Sequence, residues 1–222
     1  MTLQFRLSFC SLEIESSMNA IGHTLGFGLP QLLGILAAYA MGCVNTGYYL
    51  VRWKTGQDLR AVGSGNAGAK NVGRILGPGG FAAALAGDML KGALPVAGAR
   101  LAEWTPAACI LIILAVTAGH NWPAQLRFRG GKGVATSYAA LLVFDPILAG
   151  LMLGVCALLL AATRRFTLSA VAAYALSPVL AFTCGYPVLV AVLFIPLACL
   201  VVLPHRRNLQ EEFTRRPGAA QT

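Results

Sequence analysis

Charged residues are scarce in this sequence: they make up 11% of its 222 residues, whereas 57% are hydrophobic. Soluble domains carry roughly 25% charged residues, so the composition excludes an ordinary water-soluble globular domain. Acidic residues are in short supply, with 8 Asp and Glu against 17 Lys and Arg. The resulting net charge of +9 indicates anionic partners such as lipid headgroups or phosphorylated substrates.

Recognisable metal and disulfide motifs are also lacking. The six cysteines are scattered through apolar runs without a C-x-x-C pair or a histidine at ligand spacing, which predicts small buried hydrophobic side chains. The basic residues form short clusters separated by apolar segments. This pattern excludes a continuous basic surface for nucleic acid.

The first residues lack the long uncharged core of a cleaved signal peptide, because Glu13 and Glu15 follow a short apolar stretch. We therefore expect residues 1–28 to be a leader of uncertain start, at Met1 or Met18. No soluble domain or long-period repeat interrupts the remaining chain. The sequence predicts one membrane domain at residues 29–208 and a cytoplasmic tail at residues 209–222.

Long uncharged runs predict an all-α integral membrane protein built as a bundle of seven transmembrane helices. A bilayer core of about 30 Å needs about 20 apolar helical residues per crossing. One run, residues 134–163, is too long for a single crossing and is divided at 144–146, where a proline favours a turn. The predicted spans are residues 30–51, 79–99, 105–122, the two halves of 134–163, 168–183 and 187–203.

Basic residues alternate between the loops of this bundle, as the positive-inside rule requires. The opposite loops carry only Arg100 balanced by Glu103, a lone Asp145, and an uncharged turn. The pattern predicts an N-terminus outside and a C-terminus in the cytoplasm. The cytoplasmic clusters are Lys54, Arg60, Lys70 and Arg74; Arg127, Arg129 and Lys132; Arg164 and Arg165; and Arg206, Arg207, Arg215 and Arg216.

The longest predicted cytoplasmic loop, residues 58–74, has the composition of a phosphate site. Glycines allow backbone N–H groups to converge on an anion, and polar side chains add further donors. The loop formally matches G-x-G-x-x-G, but it follows a membrane helix and not the strand that a dinucleotide fingerprint needs. A flexible polar hinge is the alternative. The candidate phosphate-binding residues here are Arg60, Gly63, Ser64, Gly65, Asn66, Gly68, Asn71 and Arg74.

A second candidate anion site precedes the fourth predicted span. Gly130, Gly131 and Gly133 surround Lys132, offering backbone donors and a mobile cation to a phosphoryl group. The alternative is a simple membrane anchor in which the glycines serve the turn. The presence of another glycine-rich basic loop on the same predicted membrane face favours binding.

Three further polar groups fall within or beside the apolar spans. Asp88 and Lys91 are three residues apart on one helical face, which indicates either a structural ion pair or a role for Lys91 in lining the anion site. His120 and Asn121 end the third span. His205 and Asn208, also three apart where the last helix leaves the membrane, are placed to turn towards one cleft.

Together these motifs resemble the acyl-phosphate-dependent glycerol-3-phosphate acyltransferases, the PlsY family, over residues 39–208. The matching features are the Gly-Ser-Gly-Asn-x-Gly-Ala-x-Asn-Val-x-Arg loop, Gly-Asp-x-x-Lys-Gly, Gly-His, Gly-Gly-Lys-Gly-Val-Ala-Thr and His-Arg-x-Asn. The resemblance implies acyl transfer from acyl phosphate to the 1-hydroxyl of sn-glycerol 3-phosphate, giving lysophosphatidic acid and phosphate. This is the first step of phospholipid biosynthesis, at the cytoplasmic face of the bacterial inner membrane. No metal, cofactor, acyl carrier protein, coenzyme A or obligatory protein partner is implied.

The resemblance also assigns roles to residues. It places Ser64, Arg74, Lys132, His205 and Asn208 in catalysis or substrate binding, and adds Thr167 and Lys91 to the phosphate-binding candidates. The His-x4-Asp motif of another acyltransferase class is excluded, because Gln125 and Gln210 stand five residues beyond the two histidines His120 and His205.

Three departures from the family pattern leave alternatives open. Lys70 replaces a threonine and adds a charge within the first loop, and Thr167 and Ala170 stand where two serines are usual. The tail after Asn208 also differs. A divergent or catalytically altered paralogue, or a membrane transporter for phosphorylated solutes, therefore stays open.

Overall fold

A computed structural model describes residues 28–214, and within these residues all regular structure is helical. Residues 1–27 of the predicted leader, including Met18, and the tail residues Arg215 and Arg216 lie outside the described part. Two short 3-10 turns, Leu59–Ala61 and Ala124–Leu126, interrupt the loops. The α-helices are α1 (Leu29–Cys43), α2 (Thr46–Thr55), α3 (Ala69–Leu101), α4 (Pro106–Asn121), α5 (Val134–Phe144), α6 (Pro146–Thr163), α7 (Phe166–Thr183), α8 (Val188–Val192) and α9 (Phe194–Thr214).

Five helical segments among the described residues are long and apolar enough to cross a membrane. They coincide with five of the seven predicted spans, so the prediction of a helical membrane protein is confirmed. The other two predicted spans fall on α3, which carries buried charges, and on α5, which has only 11 residues. The five segments are Leu29–Thr55, Pro106–Leu126, Pro146–Thr163, Phe166–Thr183 and Val188–Glu212.

The first predicted span is not one continuous helix, because α1 ends at Cys43 and α2 begins at Thr46. Between them the backbone is extended, and two carbonyls at the break accept hydrogen bonds from side chains elsewhere in the chain. The Gln125 amide donates to the Cys43 carbonyl over 2.6 Å. The Lys91 amine donates to the Val44 carbonyl over 2.8 Å. The predicted span at residues 30–51 therefore contains a break between two helices, and the side chain that pairs with the Val44 carbonyl comes from a distant helix.

Helix α3 starts well before the predicted second span and contains a kink. Gly77 has φ 73° and ψ −169°, a conformation essentially restricted to glycine, and the following Pro78 cannot donate a backbone hydrogen bond. The predicted start of the span at residue 79 therefore corresponds to this kink. The helical segment before it, residues 69–76, carries Lys70 and Arg74.

The predicted division of residues 134–163 is confirmed. Asp145 accepts hydrogen bonds from the backbone N–H groups of Ile147 at 2.8 Å and Leu148 at 3.1 Å, and thereby caps α6. Pro146 occupies the first helical turn, where its missing N–H costs nothing. The Tyr186 hydroxyl donates to the same carboxylate over 2.9 Å. This hydrogen bond links the turn between α5 and α6 to the turn between α7 and α8.

Close helix packing depends on glycine at a few positions. A Cβ atom at Gly119 of α4 would lie 2.2 Å from the Tyr39 carbonyl oxygen of α1, and one at Gly92 of α3 would lie 2.1 Å from the Thr136 carbonyl oxygen of α5. The backbones of these helix pairs are thus in direct contact, as small residues permit in membrane proteins. The central core contains Ile110, Ile113, Leu141, Leu148, Phe194 and Leu197.

Candidate active site

A cavity of about 1150 Å³ lies where the loop after α2, the start of α3, the loop before α5, the start of α7 and the middle of α9 meet. Residues as far apart in sequence as Ser64 and Glu211 share its wall. All five residues to which the sequence assigns catalytic roles line it: Ser64, Arg74, Lys132, His205 and Asn208. The structure therefore brings these side chains together, while their catalytic roles stay predictions.

The predicted phosphate-binding residues divide into two groups. Gly65, Asn66, Gly68, Asn71, Gly131, Gly133 and Thr167 line the cavity. Arg60, Gly63, Lys91 and Gly130 are not among the residues of its wall.

The first loop is held in shape by the buried side chain of Asn71. Its amide oxygen accepts from the Ser64 backbone N–H at 2.8 Å, and its amide nitrogen donates to the carbonyls of Leu59 at 3.1 Å and Val62 at 3.0 Å. The Gly65 N–H donates to the same Val62 carbonyl. These two backbone N–H groups and the Asn71 amide therefore form hydrogen bonds within the loop, and the roles of Gly65 and Asn71 in phosphate binding stay predictions.

Arg60 joins the two glycine-rich loops. Its guanidinium pairs with Asp58 through Nε at 2.9 Å and Nη2 at 2.7 Å, and Nη1 donates to the Leu126 carbonyl over 2.6 Å. Hydrogen bonds from Arg60 lower the pKa of the Asp58 carboxyl to about 2, so the pair is ionised at any physiological pH. Arg60 contacts these groups outside the cavity wall, and its predicted phosphate contact stays a prediction.

The glycines of the second loop allow a close approach to the end of α4. The N–H groups of Gly130 and Gly131 donate to the carbonyls of Asn121 and His120, each at 3.0 Å. A Cβ at Gly131 would lie 2.0 Å from His120 Nε2. These glycines are therefore required for packing, and their N–H groups form hydrogen bonds within the protein; their role in phosphate binding stays a prediction.

Lys132 reaches from this loop to α9, where its amine donates to Asn208 Oδ1. Burial lowers the pKa of the Lys132 ammonium; the nearby charge of Glu211 raises it and that of Lys70 lowers it further. The amine is thus a partly desolvated cation within the cavity wall. A phosphate oxygen would supply the negative charge that such a group lacks.

Helix α9 continues past the predicted end of the last span and keeps His205 and Asn208 on one face. His205 Nδ1 donates to the Val201 carbonyl over 2.7 Å. Because a carbonyl can only accept, Nε2 of a neutral His205 carries the lone pair. The prediction that both side chains turn to one cleft is confirmed.

The Asp88–Lys91 pair is structural. The two charged groups are 2.9 Å apart, with only 3% and 6% of their side chains exposed, and the Lys91 amine also holds the Val44 carbonyl. The ion pair that the sequence offered as one of two alternatives is therefore present, while Lys91 is not among the residues of the cavity wall and its role in the anion site stays a prediction. Asp88 and His120 do reach the cavity wall, with His120 Nδ1 3.6 Å from Asp88 Oδ1.

Lys70, noted in the sequence as an added charge within the first loop, lines the cavity wall together with Arg206 and Arg207, which flank the predicted site residues His205 and Asn208. Sequence reasoning missed one part of the site. An apolar wall gave no local signal, because its residues come from α3, α5, α6 and α7. It consists of Phe81, Leu85, Met89, Tyr138, Met152, Leu153, Cys156 and Phe166. Among the described residues, no group of three or more His, Cys, Asp or Glu side chains is arranged to hold a metal ion.

Comparison with known proteins places this architecture in a family. A family model described as glycerol-3-phosphate acyltransferase matches residues 32–215. Glycerol-3-phosphate acyltransferase 1 of Desulfitobacterium hafniense (strain Y51) is 44% identical over 184 residues, covering 83% of this chain and 91% of its own. Glycerol-3-phosphate acyltransferase of Clostridioides difficile (strain 630) is 39% identical over 181 residues, covering 79% and 88%.

Two solved structures share the fold. The crystal structure of PlsY (YgiH), an integral membrane glycerol 3-phosphate acyltransferase, in its glycerol 3-phosphate form aligns with a TM-score of 0.75 and 32% identity, covering 83% of this chain and 92% of that one. Its lysophosphatidic acid form aligns with a TM-score of 0.72 and 28% identity over the same shares. Extended similarity in sequence and in structure thus agrees with the motifs of the cavity, and this chain belongs to the glycerol-3-phosphate acyltransferase family.

Proposed function

We propose that this protein transfers a fatty acyl group from acyl phosphate to the 1-hydroxyl of sn-glycerol 3-phosphate, giving lysophosphatidic acid and inorganic phosphate as the first step of phospholipid biosynthesis. One observation carries the proposal: a single cavity combines cations from separate loops with an apolar wall. Two phosphate-bearing substrates need the cations, and an acyl chain needs the apolar wall. The family membership supports this pairing of substrates.

The reaction requires little covalent help from the protein, because acyl phosphate is already an activated anhydride. The glycerol oxygen bonds to the acyl carbon, the bond from that carbon to the phosphate oxygen breaks, and the hydroxyl proton passes to an oxygen of the departing phosphate. Arg74 and Lys132 stabilise the phosphate charge, and positioning of the two substrates supplies much of the acceleration.

The remaining candidate residues orient the acceptor. The lone pair on Nε2 of neutral His205 accepts a hydrogen bond from the glycerol hydroxyl, and the Ser64 hydroxyl donates to a phosphate oxygen. Asn208 holds the Lys132 amine in the cavity wall. Thr167, Asn66 and Gly68 complete the polar wall.

We also propose seven membrane crossings in a bacterial inner membrane, with the N-terminus outside and the C-terminus in the cytoplasm. Residues 29–208 form the catalytic unit and 209–222 its tail. The contact between Arg100 and the Val143 carbonyl at 3.2 Å supports crossings by both α3 and α5. This contact joins the C-terminal ends of α3 and α5. Lys70, at the N-terminal end of α3, and Lys132, just before α5, lie at the cavity.

The test is turnover by the purified protein. Acyl phosphate and glycerol 3-phosphate together should yield phosphate and lysophosphatidic acid without acyl carrier protein, coenzyme A, added metal or a partner protein. Ser64→Ala and Arg74→Ala should each lower turnover by about 100-fold or more, the effect of losing one charge-stabilising donor. Arg129→Ala is the matched control, because Arg129 is basic, exposed and absent from the cavity wall.

Failure of the intact protein to release phosphate would contradict the proposal. Substrate protection against unfolding without turnover would indicate a catalytically altered paralogue. Uptake of glycerol 3-phosphate into proteoliposomes without acylation would instead indicate a transporter.

A further inference from the structure

Lys70 is a cation of the cavity wall for which the reaction outlined above has no use. It lies in the first turn of α3, is exposed, and lines the cavity. Its ammonium nitrogen rests 4.2 Å from the centre of the Phe166 ring at the start of α7. No acidic side chain within residues 28–212 forms an ion pair with it.

The cavity wall holds more positive charge than one phosphate group would need. Five Lys and Arg side chains line it against two acidic ones, and of these two Asp88 is already paired with Lys91. Lys70 and Arg74 are four residues apart on one helical face, where like charges repel each other. An arrangement that keeps such charges together is suited to more than one dianionic ligand.

The position of Lys70 indicates which ligand it meets. Phe166, on which its ammonium rests, belongs to the apolar wall together with Tyr138, Leu153 and Cys156. If an amphiphile binds with its acyl chain along this apolar wall, its charged head group lies next to Lys70, at the boundary between the apolar and the basic residues. Glycerol 3-phosphate has no apolar chain and gains nothing from this boundary, whereas acyl phosphate has both parts.

We propose that Lys70 binds the phosphoryl group of the acyl donor and selects for a donor that carries a dianionic head. This inference rests on the proposed function. In the free protein the ammonium is held on the face of Phe166, a contact that is weak at an exposed site. Donor binding draws it to the phosphate oxygens, where it forms a charge-assisted hydrogen bond.

Steady-state kinetics on detergent-solubilised protein can separate the two substrates. Lys70→Gln should raise the KM for acyl phosphate about tenfold, the loss of one charge-assisted contact, while the KM for glycerol 3-phosphate changes by less than about twofold. Lys70→Arg keeps the charge and should recover most of the donor affinity.

Lys54→Gln is the matched control. Lys54 also rests on an aromatic ring, 4.4 Å from the centre of the Trp53 ring, but it is absent from the cavity wall. This variant should leave both KM values unchanged.

The proposal for Lys70 is overturned if Lys70→Gln leaves the donor KM unchanged, or if only the KM for glycerol 3-phosphate rises. An inactive wild-type protein would refute the acyltransferase function itself. An active wild type with a kinetically silent Lys70→Gln would refute the role of Lys70 alone.

Discussion

The side chain of Asn71 determines the shape of the first polar loop, because it forms hydrogen bonds with three backbone groups of residues 59–64. Asn71→Ala should leave the Ser64 N–H and the Leu59 carbonyl unpaired, at about 1–3 kcal/mol for each one that stays buried, while the Val62 carbonyl still accepts from the Gly65 N–H. We expect a lower unfolding temperature in detergent without substrate. Asn71→Asp should also destabilise, since it keeps the acceptor for Ser64 but loses both donors.

Asn66→Ala is the control for this prediction, because Asn66 lies in the same loop and on the same cavity wall. It should lower activity more than stability. An unaltered unfolding temperature in Asn71→Ala would mean that Asn71 serves only the ligand.

The depressed pKa of Lys132 predicts a pH dependence of substrate binding. Phosphate binding needs the ammonium form, which is fully present below this pKa and is lost as the pH rises through it. Because burial lowers the pKa from its usual 10.5, the loss should begin at a lower pH than for an exposed lysine. The substrates themselves do not explain such a change, since phosphate monoesters are already dianions above about pH 7.

The measurement is KM between about pH 7 and pH 10, where a free lysine would remain mostly charged. KM should rise with pH in the wild type and stay flat in Lys132→Arg, because arginine keeps its proton. An identical rise in both proteins would assign the titration to another group.

Individual residues also show where sequence reasoning ends. The types and order of the motifs identified Ser64, Lys132 and His205 as members of one site. They did not reveal that Arg60 also donates to the Leu126 carbonyl, because that partner is 66 residues away. Contacts between the two loops depend on such distant partners, which no local pattern contains.

At the scale of helices, the kink in α3 places Lys70 and Arg74 at the cavity. Gly77 holds a backbone conformation with φ 73°, which would cost another residue about 1–3 kcal/mol. Gly77→Ala should therefore reduce stability and also lower activity, since it disturbs the direction of residues 69–76. Unfolding temperature and turnover should be measured together.

Gly79→Ala is the control for the kink. A Cβ at Gly79 meets no atom within 4 Å and its φ is not positive, so the substitution should be nearly neutral. Equal effects of the two substitutions would show that the kink itself has no role.

The contact between α3 and α5 gives a second prediction at this scale. Gly92→Ala would place a Cβ 2.1 Å from the Thr136 carbonyl oxygen, and overpacking of this kind typically costs about 1–3 kcal/mol. We expect a clear fall in unfolding temperature. Gly98→Ala in the same helix meets no atom within 4 Å and should be tolerated; a comparable loss in both would contradict the packing argument.

Helix boundaries were predictable where the cause is local. Pro146 and the Asp145 cap mark the start of α6 in the sequence itself. The break after Cys43 was not predictable, because it is stabilised by Lys91, which is 47 residues from its partner carbonyl at Val44. The short α5 has no boundary signal at its own ends that is independent of α6. It was recognised because residues 134–163 are too long for one crossing and a proline divides them.

For the whole molecule, the proposed orientation can be tested with single cysteines in a cysteine-free background. One substitution is Lys54→Cys, at the end of α2 beside the first polar loop. The other is Leu101→Cys at the far end of α3, where the Leu101 side chain is 87% exposed. A membrane-impermeant maleimide on cells with a permeable outer membrane should label Leu101→Cys and spare Lys54→Cys. Inverted vesicles should give the reverse. Labelling of Lys54→Cys from outside would contradict a cytoplasmic cavity.

The break between α1 and α2 also constrains how the protein is made. Lipid offers no hydrogen bonds to a carbonyl that has left its helix, and the Val44 carbonyl receives its bond from Lys91. The lysine in turn depends on neighbouring Asp88 and on that carbonyl to remain in the hydrocarbon layer. Neither residues 29–55 nor α3 is therefore stable in the bilayer without the other. We expect the translocon to release residues 29–55 and α3 into the bilayer as a pair.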